Sequence, residues 1–438
     1  MTTRGRIAII EKIIYLHSYS ARCALYTWVR ERSITVTKLK NAQLGFMNEA
    51  LSPSLFSVSC DIATRIDFSK YTVFPGFCDV HVHFREPGFS YKETVKSGSQ
   101  AAAAGGYTSV CTMPNLSPVP DSMASLGEQL EIINRDAVID VTPYGSITKG
   151  LKGQCLSDMA DMAPFVVAYT DDGVDVRSDS LMRAAMEEAK RLGKMIVAHC
   201  EIKYEGIGYI HEGEYARIHG HRGINLESEY LQVMRDLRLA EETGCAYHVC
   251  HVSTKESVAA IRDAKKRGVN VTCETGPHYL VLDDSHLEED GRFKMNPPLR
   301  AAADRAALVE GLLDGTVDMI ATDHAPHSAE EKGRGLAGSA FGIVGLETAF
   351  PVLYTKLVKE GILPLERLVD LLSGAPRRRF GLPLNAGDFS VWELDACHTV
   401  DPDTFLTKGR ATPFAGWQLY GKCVLTARRG QIVYENKN

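Results

Sequence analysis

Five times between Ser99 and His324 the chain repeats one unit: a helix-forming stretch, a glycine, a short apolar run, then polar residues. Residues 99–104 lead through Gly105-Gly106 into 107–112 and end at Met113-Pro114-Asn115. Residues 181–192 lead through Gly193 into 195–198 and end at His199-Cys200-Glu201. Residues 231–243 pass Gly244 into 245–250 and end at His251; residues 256–267 pass Gly268 into 269–273 and end at Glu274. Residues 308–314 pass Gly315 into 317–321 and end at Thr322-Asp323-His324. Glycine is the expected helix stop, and such repeats require parallel strands joined by crossover helices. With a strand entering at Val73 and another over 164–168, they predict a (β/α)8 barrel of the TIM type, reactive groups gathered at the C-terminal strand ends. A doubly wound sheet would collect ligands at one switch point instead. Ser253 and Glu256 have capping-box spacing for one helix.

The two ends of the chain have a different texture. Short β-branched runs (Ile34-Thr35-Val36, Phe56-Ser57-Val58) precede the barrel. Phe389-Ser390-Val391-Trp392, Trp417-Gln418-Leu419, Lys422-Cys423-Val424-Leu425 and Gln431-Ile432-Val433-Tyr434 follow it. These runs predict one small β domain, built from 34–73 and 387–438, beside a barrel of 74–386. Residues 1–33 carry Arg4, Arg6, Lys12, Arg22, Arg30 and Arg32 against Glu11 and Glu31. They form a basic extension that we leave unassigned, since no cleavage signal follows to mark a targeting segment.

The first barrel strand carries the sharpest chemistry. In Val73-Phe74-Pro75-Gly76-Phe77-Cys78-Asp79-Val80-His81-Val82-His83-Phe84-Arg85-Glu86-Pro87-Gly88, period two puts Asp79, His81, His83 and Arg85 on one face. A bare His-x-His is often just a polar strand face. Here the opposite face is too apolar for a surface ribbon, and the arginine points to an anionic ligand near a metal. Barrel topology would bring His81, His83, His199, His251 and Asp323 to one mouth, with Asp172 of Asp171-Asp172-Gly173 following the 164–168 run. Imidazoles and carboxylates are ligands zinc accepts, and six are more than one ion needs. His219-Gly220-His221 reads as a loop. His211, His286 and His398 read as surface residues, His248 has the wrong parity to join His251, and His278 is a weaker candidate for the mouth.

Composition narrows the partners. A net charge of −6 gives no electrostatic reason to bind nucleic acid, and no apolar run reaches the roughly 20 residues of a membrane span. The cysteine count is odd, at 11, and the residues are scattered without Cys-x-x-Cys pairs, which suits reduced thiols in a cytoplasm. There is no Gly-x-Ser-x-Gly elbow and no phosphate loop.

The motifs resemble those of the bacterial class I dihydroorotases in the amidohydrolase superfamily. The resemblance rests on His81–Gly88 as quoted, Met113-Pro114-Asn115, Asp171-Asp172-Gly173, His199-Cys200-Glu201 and His251-Val252-Ser253-Thr254. It continues through Lys294-Met295-Asn296-Pro297-Pro298-Leu299-Arg300, Ala321-Thr322-Asp323-His324-Ala325-Pro326-His327 and Phe341-Gly342-Ile343-Val344-Gly345-Leu346-Glu347-Thr348. It covers the chain from about residue 34 and implies reversible cyclisation of N-carbamoyl-L-aspartate to L-dihydroorotate in pyrimidine synthesis. It further implies one or two zinc ions. His81, His83 and Asp323 would hold one, His199 and His251 the other, and Asp172 would bridge them. Asp323 would be the catalytic proton carrier beside a metal-activated water. His83, Arg85, Asn115 and His327 would meet the substrate, the last three at its carboxylate; Asn296, Phe341 and Gly342 would meet its ring amides. A homodimer and an association with aspartate transcarbamoylase are also implied. Two features depart from relatives: Asp172 replaces the carboxylated lysine of the wider superfamily (Lys149 and Lys152 precede its strand), and Thr275-Gly276-Pro277-His278-Tyr279 lacks the usual double histidine. The competing readings are a hydantoinase or allantoinase, disfavoured by Arg85 with Asp172, and a non-catalytic scaffold, disfavoured by the intact ligand set.

Overall fold

A computed structural model describes residues 43–44, 70–203 and 208–436. The basic extension and the runs at 34–36 and 56–58 lie outside the described residues.

The repeated units close into a barrel. Parallel pairing runs from Phe77–Val82 to Tyr107–Thr112 to Asp140–Pro143. Single rungs then join Gly145 to Tyr169 and Tyr169 to Ile196. Ile196–Ala198, Tyr247–Val249, Val271–Thr275 and Met319–Ile320 follow in parallel, and a rung from His324 back to Val82 completes the ring. Helices Val95–Ala104, Asp179–Arg191, Glu227–Thr243, Lys255–Lys266 and Ala302–Asp314 fill the crossovers and stop at or just before the glycines that mark them in the sequence.

Two local expectations are corrected. The 164–168 run is not a continuous strand: the chain still turns at 163–165, and ladder bonds begin only at Val167, whose N donates to Pro143 O at 3.0 Å, ahead of the bridges at Tyr169. The helix after His251 is capped by Thr254, whose side chain accepts from Ser257 N, and not by Ser253. Ser253 is diverted by the buried carboxylate of Glu229, which also accepts from the Ser253 and Thr254 amides at 3.1 and 3.0 Å.

A second sheet takes strands from both ends of the described chain. Gln43–Leu44, Thr72–Pro75, Phe389–Thr399, Gln418–Arg428 and Gln431–Glu435 lie in that order. The sheet meets the barrel through packed, mutually tilted aromatics: Trp392 lies 4.3 Å from Phe350 and 5.8 Å from Phe77, ring centre to ring centre. Gly106, at φ 83°, is required there, since a Cβ would come within 2.6 Å of the indole. At the same N-terminal strand ends the buried Arg377 donates to the carbonyls of Gly76 and Phe77 and to Thr108 Oγ1, which leaves the C-terminal mouth as the open end.

Candidate metal centre and substrate cleft

The strand ends converge as barrel topology requires. His81, wholly buried on Phe77–Val82, has Nδ1 2.7 Å from Glu274 Oε1, which turns Nε2 inward. Glu274 is itself held by His248, 3.2 Å away, whose other nitrogen meets Thr272 Oγ1 at 2.8 Å. An imidazole that donates outward to a carboxylate presents a bare lone pair on its inner nitrogen, the form a metal binds.

Inside this ring the ligand atoms crowd together. His81 Nε2 lies 3.4 Å from both Asp172 Oδ1 and Asp323 Oδ1. His83 Nε2 is 3.1 Å from Asp323 Oδ1 and 3.6 Å from Asp172 Oδ2. On the far side, Asp172 Oδ1 is 3.8 Å from His251 Nε2 and 3.9 Å from His199 Nδ1. Asp172 therefore stands between two groups of donors. His81 Nε2 and Asp172 Oδ1 are buried without hydrogen-bond partners. Polar atoms stranded in this way are costly unless a cation satisfies them, so the residues fit a metal centre. Burial alone would push the Asp172 and Asp323 carboxyls up, but His81 and its neighbours hold both well below the usual carboxylate range. Cys250 is near His81 as well. Burial keeps that thiol protonated, so Glu274 remains the effective partner on the outer nitrogen.

The backbone is unusual at the same place. Arg85 (φ 56°), His251 (29°) and Asp323 (48°) are three of the five described non-glycine residues with positive φ. Each left-handed conformation costs about 1–2 kcal/mol for a residue with a Cβ.

Beside the cluster opens a cleft of about 220 Å³. Its walls include His83, Arg85, Asn115, Asn296, His327, Phe341 and Gly342, all named from the sequence, and also Lys203, which was not. Arg85 Nε donates to Pro326 O at 3.3 Å. Burial, with Arg85 and Lys92 nearby, pushes His327 down to about 3; the neutral ring donates from Nε2 to Phe341 O at 2.8 Å. Asn115 Nδ2 donates to the Asp172 carbonyl at 2.6 Å, and Asn296 Nδ2 to Glu201 Oε2 at 2.9 Å. Glu201 also meets His199 Nε2 at 3.2 Å, the same carboxylate-behind-imidazole arrangement as Glu274 with His81. His278 is buried but does not line the cleft, and His211, expected at the surface, is buried, which lowers it to about 4.

Known proteins bear on this geometry. Residues 71–257 match the family model described as Dihydro-orotase-like. A dihydroorotase of Fusobacterium nucleatum is 51% identical over 381 residues, 85% of this chain and 89% of the relative. One from Bacillus cytotoxicus is 47% identical over 391 residues, 87% of this chain and 91% of the relative. The chain belongs to the dihydroorotase family. Among solved structures, the L-hydantoinase (dihydropyrimidinase) of Arthrobacter aurescens superposes with a TM-score of 0.75 at 28% identity, covering 84% of this chain and 86% of its own. A dihydropyrimidinase from Brevibacillus agri, 23% identical with a TM-score of 0.73 over 84% and 86%, shares the fold.

For a dihydroorotase-family chain, the residues missed by sequence reasoning are supporting ones: Glu274, Glu201, His248 and Lys203. Glu201 and Glu274 sit at strand ends in the sequence, but no local pattern tells a carboxylate facing the cleft from one facing the back of an imidazole. Lys203 follows Glu201 by two residues in a loop, where periodicity carries no information.

Proposed function

We propose that this chain is a metal-dependent dihydroorotase, interconverting N-carbamoyl-L-aspartate and L-dihydroorotate, with water released on ring closure. The observation that supports this reading is the clustering of His81, His83, Asp172, His251 and Asp323, with His199 3.9 Å from Asp172, beside a cleft whose wall carries Arg85, Asn115 and Asn296. Zinc is assigned because the donors are imidazole nitrogens and carboxylate oxygens. His81, His83 and Asp323 would hold one ion and His199 with His251 a second, Asp172 reaching both. Bound there, the metal supplies activation of water and polarisation of the amide carbonyl.

The remaining work falls to side chains. Asp323 accepts the proton from the attacking water and delivers it to the ring nitrogen as the C–N bond breaks; in the cyclising direction the proton travels back. Arg85 offers its planar fork to the substrate carboxylate, flanked by Asn115 and His327. Lys203 adds positive charge at a mouth whose protein is net negative at −6. Asn296 and the backbone at Phe341-Gly342 hold the ring amides. The nine described cysteines are unpaired, seven of them buried, which supports a reducing, cytoplasmic setting. No helix among the described residues is long and apolar enough to cross a membrane.

The test is dihydroorotate hydrolysis by the purified zinc-loaded chain, followed by loss of ultraviolet absorbance, alone and with aspartate transcarbamoylase. Turnover that a chelator abolishes and zinc restores is expected, with gel filtration reporting whether the active species is the homodimer. Full zinc content without turnover in either arm, or preference for a hydantoin, overturns the reading.

A further inference from the structure

Lys332 closes the short helix Ala329–Lys332, yet its side chain turns inward and is only 7% exposed. Its partners are three backbone carbonyls: Nζ donates to Lys294 O at 3.0 Å, Ala340 O at 2.8 Å and Gly342 O at 2.7 Å. Three acceptors match the three N–H groups of one ammonium. The carbonyls belong to two segments that reach the cleft separately, one leading to Asn296 and one holding Phe341 and Gly342. A single direct bond joins them, Gly342 N to Lys294 O at 3.1 Å. Lys294 points its own ammonium elsewhere, to Ala337 O at 2.9 Å and over the Phe341 ring, 4.6 Å from its centre. The loop has little regular structure of its own, and Gly342 sits at φ 132° with Ala325 O against it.

We propose that Lys332 is a positioning residue for substrate binding. It staples 340–342 to 294–296, so that both segments present their amide groups to one ring. The inference rests on the functional reading above, which assigns these segments to the pyrimidine ring. Lys332 does not line the cleft. Its removal leaves three carbonyls without their shared donor and the two segments joined to each other by one backbone bond. Ala340 N to Glu331 O at 2.9 Å and His327 Nε2 to Phe341 O at 2.8 Å still hold the loop to its other neighbours. Ground state and transition state hold the same ring amides, so the loss falls on KM.

The test compares Lys332→Met, which keeps the stem and removes the donors, with Lys332→Gln, which keeps two donors. Hydrogen exchange over 338–346 reads the staple without reference to turnover; steady-state hydrolysis and zinc content are read on the same samples. Expected for Lys332→Met are exchange at least tenfold faster, KM raised about tenfold, kcat within threefold and unchanged zinc, with Lys332→Gln between it and the parent. Unchanged exchange overturns the staple. Faster exchange with an unaltered KM, or a fall in kcat together with lost zinc, overturns the substrate role. Should Lys332→Met not fold, a Lys332→Gln protein with parental exchange and KM overturns the proposal alone. A parent chain that hydrolyses no dihydroorotate sinks the functional reading and the substrate role together, while exchange still decides the staple.

Discussion

Glu274 never enters the cleft, yet its two oxygens decide which way His81 faces and which nitrogen carries the proton. Burial would raise this carboxyl, but His81 and His248 bring it down to about 2. Replacement by glutamine keeps the shape while offering either an acceptor or a donor to Nδ1, so the inner lone pair of His81 is no longer guaranteed. Zinc affinity of Glu274→Gln is expected to fall about 10–100-fold with the fold intact, as read by competition with a chelator. Parental affinity would remove Glu274 from the centre. The candidate ligands could be singled out because His199, His251 and Asp323 close units of the repeat and His81 and His83 share one face of the opening strand. Their supports were not, since an imidazole's outer partner comes from a neighbouring strand, and register between strands is invisible in one sequence. His248 illustrates the limit: parity excludes it from the ligand set, and only the fold brings it against Glu274.

At the scale of elements, the segment from Leu406 to Ala411 departs most from expectation. Grouped by sequence with the terminal sheet, it instead crosses to the barrel mouth, where Ala411 O accepts from Val344 N at 2.9 Å. Two carboxylates anchor it. Glu347 accepts from the Leu406 and Thr407 amides at 2.8 and 3.2 Å, while Glu93 takes the Thr407 hydroxyl and stands 3.6 Å from His324 Nε2. Partners more than 300 residues apart, as Glu93 and Thr407 are, leave no local trace in the sequence. Burial pushes Glu347 up to about 7. The folded chain thus keeps a proton that the unfolded chain sheds near 4.5, and stability declines as pH rises from 4.5 to 7. The neighbouring cavity of about 500 Å³ admits solvent, so the decline is about 1 kcal/mol. Denaturant melts at pH 5 and 7.5 should show Glu347→Gln losing this slope; an unchanged slope assigns it to other groups.

For the molecule as a whole, we propose the division into a barrel of 74–386 and a sheet completed by 387–438, coupled tightly enough to unfold together. Trp392 belongs to the sheet but is buried against barrel aromatics, so Trp392→Ala should cost about 3–5 kcal/mol and lower a single calorimetric transition. Two separated transitions in the parent would make the halves independent. The barrel was legible because parallel strands impose a repeat. The helical stretch from Ala349 to Phe380 was not, since it lies after the last strand and repeats nothing. The left-handed backbone at Arg85, His251 and Asp323 bears on how such a chain ages under selection. Glycine would sit more comfortably at each position, so drift toward greater stability pulls against the very side chains that line the mouth. Exchange of any of the three for glycine would relax the backbone only by removing a side chain from the cleft wall.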